Sequence, residues 1–317
     1  MKSNEATVTE VAGKHKKKKY GSTHWLLTLM ALPGILIIFI FKYLPMGGLI
    51  LAFKNYKYSL GILGSEWVGM KNFMFLFNSS TFSILVRNTV LYNLAFIVLN
   101  IVAGIMAALF LDNVMSKRGI KLFQTSMFLP YFLSWIVVSY ISLSLLDYDK
   151  GIINQILGVF GQNSISFYSE TKWWPAILIF FNTWKNLGFN ALIYYGTIIS
   201  IDSELYEAAT IDGCGYFRRV KYITIPHLKP TVIILGLLAL SGIFRSDFGL
   251  FYYLPADSGA LYDVTDVLDT YITRSILNTS SLGQSTATGL VQSIVGLLLI
   301  LTVNSVVRKY ESESALF

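Results

Sequence analysis

Cysteine is almost absent: one residue, Cys214, in 317, so no intramolecular disulfide framework can form. Histidine is nearly as scarce, and His15, His24 and His227 lack the spacing of a zinc ligand set. Charge is thin too. Only 14% of the residues are charged, where an ordinary soluble domain carries about 25%, while 54% are hydrophobic and 15% aromatic. These figures exclude a soluble enzyme and a disordered chain and call for lipid around the molecule. A phosphate-binding G-x-x-x-x-G-K-[ST] loop is also missing; its nearest fragment, Gly13-Lys14, is followed by His15. The net charge of +7 does not point to nucleic acid, because six of the 25 basic residues crowd into the first 19 positions.

What is present is a set of long apolar runs. Crossing about 30 Å of hydrocarbon takes about 20 residues of helix. Six stretches approach that length: Trp25 to Phe41 with a possible extension to Phe53, Ile84 to Leu111, Ile120 to Leu146, Trp174 to Ile199, Thr231 to Phe244, and Thr286 to Val307. The fold class expected is therefore an all-α integral membrane protein of six spans. The first run follows Lys14 to Lys19 as a signal peptide would, but no small-residue cleavage site follows it, so it is read as a retained span.

Basic residues then set the orientation, since cytoplasmic loops carry their excess. With the N-terminus inside, fifteen fall on the inner side: Lys2, Lys14, Lys16 to Lys19, Lys117, Arg118, Lys121, Arg218, Arg219, Lys221, Lys229, Arg308 and Lys309. The loop from Phe248 to Ser285, placed outside, is acidic, with Asp257, Asp263, Asp266 and Asp269. Both termini are thus expected in the cytoplasm. Residues 1–23 read as a flexible basic tail able to touch anionic lipid, 24–309 as the membrane domain, and 310–317 as a second cytoplasmic tail. The segment Lys54 to Thr81 is too polar to span and is expected along the membrane surface.

The inner loop 201–230 is patterned rather than a plain connector. Asp202 or Ser203 can cap a helix over Ser203 to Ile211, Gly213 breaks it, Cys214 to Tyr222 can form a second short helix, and Pro226 and Pro230 are expected to stop that helix before the fifth span. On composition alone an amphipathic surface hairpin with no partner fits equally well. The spelling is more specific: Glu207-Ala208-Ala209, three residues, Gly213, nine residues, then Ile223-x-Ile225-Pro226. This resembles the EAA signature of bacterial ATP-binding-cassette (ABC) importer permeases, departing only in Ile225, where that family has Leu. Three further stretches, Trp67-Val68-Gly69-Met70-Lys71-Asn72-Phe73, Thr265-Asp266-Val267-Leu268-Asp269-Thr270-Tyr271 with the preceding Asp247-Phe248-Gly249-Leu250, and Thr286-Ala287-Thr288-Gly289-Leu290-Val291-Gln292-Ser293, are similar to permeases of the oligosaccharide and polysaccharide branch of the sugar importers.

The resemblance implies a binding-protein-dependent transport subunit in the bacterial cytoplasmic membrane, not an enzyme, with no cofactor of its own. ATP and Mg would be held by two separate ATPase subunits. The 201–230 loop would dock into them as a coupling helix through Glu207, Ala208, Ala209, Gly213, Ile223 and Pro226, with Glu207 paired to a basic residue of the ATPase. A second, non-identical permease and an extracytoplasmic solute-binding protein would complete the path for an oligosaccharide. An importer for another solute, which would share the coupling segment, and an ion-coupled secondary carrier are the alternatives; the second would need intramembrane carboxylates, and the spans hold almost none.

Ionisable groups in hydrocarbon cost about 2.5 to 3.5 kcal/mol at a helix centre and so need a partner or a task. Lys185 lies near the middle of the fourth run, among Asn182, Asn186 and Asn190 at steps of four, with Trp184 beside it. Amides, a cation and aromatic rings suit a saccharide path. This stripe is read as its lining; the same amides would equally glue helices together. Asn93 and Asn100, and Gln292 and Asn304, are read as packing residues. Arg245 and Asp247 are expected to pair with each other or meet a docked binding protein, and Tyr43, Trp173 and Trp174 to anchor at the membrane interface.

Overall fold

The computed structural model describes residues 21–277 and 282–310. The lysine-rich stretch through Lys19 and the tail beyond Tyr310 lie outside them. The chain divides into two units, Met1–Ile50 and Leu51–Phe317. In the first, α1 (Gly21–Ile38) runs on through a π turn at Phe39–Tyr43 into a 3₁₀ stretch, Leu44–Phe53, which carries the chain into the second unit. Helix therefore begins three residues before the expected tail boundary and includes the possible extension to Phe53. From Trp25 to Ile38 the side chains of α1 are exposed, as an apolar helix facing lipid or another chain requires.

In the second unit, a two-residue ladder, β1 (Lys54–Asn55) against β2 (Glu66–Trp67), brackets the short α2 (Gly61–Gly64), whose end carbonyls on Ile62 and Leu63 accept from the Lys54 ammonium at 2.7 and 3.1 Å. Next come α3 (Lys71–Asn78) and α4 (Ser80–Asp112). Asn72 Nδ2 donates to the carbonyls of Ala52 and Lys54 at 2.9 and 3.1 Å, fastening this segment to the end of the first helix run.

The third apolar run is not one helix. α5 (Lys117–Phe128) passes into a 3₁₀ turn, Leu129–Phe132, and the chain then bends by 100° into α6 (Trp135–Leu146). This corrects the continuous span expected from Ile120 to Leu146. Pro130 and the extended backbone of Leu133 and Ser134 make the break, and the Ser134 hydroxyl caps α6 by accepting from Val137 N–H at 3.3 Å. A broken helix leaves carbonyls without donors. The Lys185 ammonium donates to Tyr131 at 2.9 Å and to Leu133, and is a second donor at 3.3 Å to the Pro130 carbonyl, which already accepts from Leu133 N–H at 3.1 Å. It also lies 5.3 Å from the Trp135 ring centre and 5.9 Å from that of Tyr131, within cation–π range.

Lys185 belongs to α8 (Trp174–Ile199), which follows the short α7 (Ile152–Val159) and coincides with the fourth apolar run. Its Gly188 faces the backbone of α5: a Cβ there would lie 2.3 Å from the Met127 carbonyl oxygen, so only glycine allows this approach. Trp174 is fully buried and donates to the Phe167 carbonyl at 2.7 Å, which makes it a core residue rather than an interface anchor.

After α9 (Ser203–Ile211), α10 (Tyr216–Arg219) passes through a π turn at Val220–Thr224 into α11 (Ile225–Ser241), one apolar helical run from Tyr216 to Ser241. Pro226 and Pro230 therefore do not stop the helix before the fifth span, contrary to the expectation from the sequence. A proline crowds the carbonyl four residues back and brings no N–H; the wider π turn ends just before Pro226, and another ends just before Pro45. The chain closes with α12 (Phe248–Tyr253), α13 (Tyr262–Thr265), α14 (Leu268–Leu277) and α15 (Leu282–Tyr310). Among the described residues four helices are long and apolar enough to cross a membrane, or five if the bent pair counts as one. At 26 residues α8 has the length, but its amides and Lys185 leave it less apolar.

The main core joins Tyr92 and Phe96 of α4, Val138 of α6, Trp174, Leu178 and Phe181 of α8, Leu250 and Phe251 of α12, and Leu254, Leu261 and Val267 beyond it. The T-D-V-L-D-T-Y stretch proves to be a brace: Asp266 accepts from Thr270 at 2.5 Å and Arg274 at 3.1 Å, Leu268 N–H donates to Thr89 of α4 at 3.1 Å, and Asn88 Nδ2 donates to the carbonyls of Asp263 and Asp266. Replacing Lys185 by Met should lower the melting temperature of the purified permease in detergent, because it removes charge-assisted hydrogen bonds worth about 1.5–3 kcal/mol each at the helix break. Unchanged melting with lost transport would assign Lys185 to the path instead.

Candidate functional site

A cavity of about 320 Å³ lies among α4, α8 and the end of α11. Asn93 and Asn100 face it from α4, and Asn182, Asn186 and Asn190 from α8; their spacings of seven and four keep each set on one helix face. Phe96, Phe189 and Tyr194 add aromatic surface, and Arg245, just past α11, is the one charged residue of the lining. The amides are cross-braced. Asn100 Nδ2 donates to Asn182 Oδ1 at 3.0 Å, while Asn186 and Asn190 donate to the backbone carbonyls of Asn182 and Asn186 at 2.9 and 3.1 Å. Asn93 Nδ2 donates to Ile243 O at 2.8 Å and to the Ser246 hydroxyl at 3.2 Å. Asn100 Oδ1 is buried without a partner.

Three of the five residues read as a path are therefore together. Trp184 and Lys185 are elsewhere: Trp184 lines an apolar groove with Leu99, Val102, Met106 and Phe180, and the Lys185 ammonium is held at the broken helix. Conversely, Asn93, Asn100 and Arg245 join the cavity, although the two amides had been read as packing residues. The signal for them was an amide stripe on a second helix to match the one on α8.

Arg245 and Asp247 do not pair. Asp247 accepts from Trp135 Nε1 at 2.5 Å and caps α12 through Gly249 N–H at 2.9 Å. Beside Arg245 stands Asp269, which accepts from Ser246 N–H at 2.7 Å and from the Gln292 amide at 3.3 and 3.4 Å. Burial pushes the Asp269 carboxyl above the usual carboxylate range, against the opposing pull of these hydrogen bonds and of Arg245. Gln292 also donates to the Phe244 carbonyl, tying α15 to the end of α11.

The second feature is the 201–230 hairpin. Asp202 caps α9 by accepting from Glu204 N–H at 3.0 Å. Gly213, at φ +73°, supplies the left-handed residue that closes the helix, with Cys214 N–H donating to the Ala209 carbonyl at 2.8 Å. Tyr206 bonds the Thr224 hydroxyl at 2.9 Å, and Arg219 donates to Thr210 at 3.1 Å, so α9 is clamped to the start of the long helix. Glu207 and Ala208 are exposed, Ala209 is half-buried, and Ile211 and Phe217 present 87% and 85% of their surface on either side of the glycine turn. Ile223 is half-buried and Pro226 exposed at the root. An acid, small residues and two bare apolar side chains on one short hairpin form a surface suited to burial against another protein.

Helices join the two features. From Asn190, α8 runs nine residues, about 14 Å at 1.5 Å each, to its end at Ile199 before the hairpin, and α11 returns from it to Leu235 and Ala239 on the cavity wall. Between them Ala108, Tyr194, Ile198 and Leu228 form a buried cluster, and the Thr197 and Thr231 hydroxyls meet at 3.1 Å. Among the described residues no group of three His, Cys, Asp or Glu is placed to hold a metal ion.

Residues 100–312 match the family described as "Binding-protein-dependent transport system inner membrane component". The polygalacturonan/rhamnogalacturonan transport system permease of Bacillus subtilis (strain 168) is 35% identical over 90% of this chain and 89% of its own. Among solved structures, a bacterial ABC transporter involved in the import of the acidic polysaccharide alginate superposes with a TM-score of 0.83 at 31% identity, covering 91% of this chain and 97% of that one. A second structure, the bacterial alginate ABC transporter in complex with alginate pentasaccharide-bound periplasmic protein, gives 0.82 at 31% identity, covering 91% and 96%. With more than half of its length matched and relatives of this identity, the chain belongs to the binding-protein-dependent transport system inner membrane components, the permeases of ABC importers.

Proposed function

We propose that the chain is one permease of an oligosaccharide importer in the bacterial cytoplasmic membrane. It forms half of the translocation path and couples that path to ATPases on separate chains. In this reading α8 is the fourth of six spans, both termini are cytoplasmic, and residues 24–309 form the permease domain between a basic tail (1–23) and a short C-terminal one (310–317). Two ATPase subunits hold ATP and Mg, a second, non-identical permease supplies the other wall, and an extracytoplasmic binding protein delivers the saccharide. The relatives whose names mention polygalacturonan and alginate support a saccharide cargo.

The observation that carries the reading is the direct helical connection between an amide-lined cavity and an exposed Glu207–Gly213 hairpin. Glu207 pairs with a basic residue of the ATPase; Ala208 and Ala209 let the helix backbone approach its groove; Ile211 and Phe217 bury their exposed surface there. Gly213 holds the hairpin angle, and Ile223 and Pro226 set the root from which α11 departs. When the ATPases close on nucleotide, the hairpin moves, and α8 and α11 carry that motion to the cavity wall. Asn182, Asn186 and Asn190 meet sugar hydroxyls as the path opens, while Lys185 and Trp184 support that wall from other faces of α8.

In proteoliposomes containing the whole complex, saccharide-loaded binding protein should stimulate ATP hydrolysis. Glu207→Lys should reduce the stimulated rate roughly tenfold or more, since it reverses one partner of a charged interfacial pair. Transport that proceeds without nucleotide would replace this reading with a secondary carrier. Gly213→Val, which forces a β-branched residue to positive φ at about 1–2 kcal/mol, should weaken ATPase binding measured by co-purification.

A further inference from the structure

The charge of Arg245 acts on the neighbouring Asp269 carboxyl, but among the described residues no contact closes on it. The Arg245 side chain is exposed, and among the described residues no hydrogen bond or ion pair engages its guanidinium. It borders the amide-lined cavity and also a neighbouring one of about 240 Å³ that Gln292 and Ser293 help to line. Asp247 accepts from Trp135 and Gly249 N–H, and Asp269, which feels the guanidinium charge, takes its hydrogen bonds from Ser246 N–H and Gln292. The rest of the lining is neutral. Asn186 and Asn190 each give one N–H to the backbone four residues earlier, which leaves their amide oxygens open to hydroxyl donors.

A neutral saccharide would use those amide oxygens and take from the guanidinium only hydrogen bonds to its hydroxyl oxygens, without charge pairing. A saccharide bearing a carboxylate would use both, since a guanidinium fork matches a carboxylate with two parallel hydrogen bonds. A phosphate dianion would call for more than one cation, and this lining has one. We propose that the permease cavity itself favours acidic oligosaccharides, of the uronate class, with Arg245 binding a sugar carboxylate and the Asn186 and Asn190 amides accepting from its hydroxyls. This rests on the oligosaccharide-importer reading above and deepens it: charge selection would reside in the membrane path as well as in the delivering protein.

The test uses the assembled importer in detergent, without binding protein. Tri-galacturonate and the same trisaccharide with its carboxyls reduced to alcohols are compared by isothermal titration calorimetry at low salt. Wild type should bind the acidic ligand roughly tenfold more tightly, a preference that shrinks with added salt. Arg245→Gln should abolish the preference and Arg245→Lys should retain part of it. Equal affinity for both ligands in wild type, a preference insensitive to salt, or a preference surviving in Arg245→Gln would overturn the proposal. Should Arg245→Gln fail to assemble, the wild-type comparison and its salt titration decide. ATP-dependent uptake of both trisaccharides at the same rate would leave the importer reading standing and remove only the charge selection; uptake of neither would remove both.

Discussion

Hydrocarbon offers no hydrogen bonds, so every backbone group set in it has to be satisfied by the protein itself. The 100° break between α5 and α6 is the severest challenge to that constraint here, and the Lys185 ammonium meets it by donating to three carbonyls at the break. The arrangement solves two problems at once. A cation that would be costly in a membrane helix gains acceptors, and the Tyr131 and Leu133 carbonyls at the break gain a donor. Gly188, one turn further along α8, lets the backbone of α5 come close enough for this to happen. With α5 held there, the opposite face of α8 is free to turn its amides toward α4 and α11.

The same economy governs the cavity. Its asparagines are not loose polar groups: each α8 amide is tied to a backbone carbonyl or to its neighbour across the cavity, so the lining is ordered before any ligand arrives. An ordered lining loses less side-chain entropy on binding. The hairpin follows a different rule, with its acid and two of its apolar residues left bare. Continuous helices connect the two, and the small buried cluster of Ala108, Tyr194, Ile198 and Leu228 packs α4, α8 and α11 against one another.

Much of this was legible in the residues. Helical runs within the second, fourth, fifth and last apolar stretches follow from hydropathy, and the ends of α8 coincide with Trp174 and Ile199. The hairpin follows from its caps, its glycine and its fixed spacing. The break in the third run was not legible, because its donor lies 52 residues away in sequence at Lys185. The continuity of the fifth helix was hidden by reading Pro226 and Pro230 as stops, whereas a π turn absorbs the first. Trp174 looked like an interface anchor because its position at the end of an apolar run is where such anchors sit; a loop folded over it makes it core.

The sequence by itself determined that the chain is a helical membrane protein, where most of its long apolar helices run, and that one loop is a capped, glycine-broken hairpin. Those properties depend on composition and on spacing along a single helix. Tertiary structure alone decided which polar residues meet. Asn182, Lys185 and Trp184 are within one turn of each other, yet one faces a cavity, one caps a broken helix and one lines an apolar groove, since successive residues of a helix point about 100° apart and only the neighbouring helices give each direction a meaning.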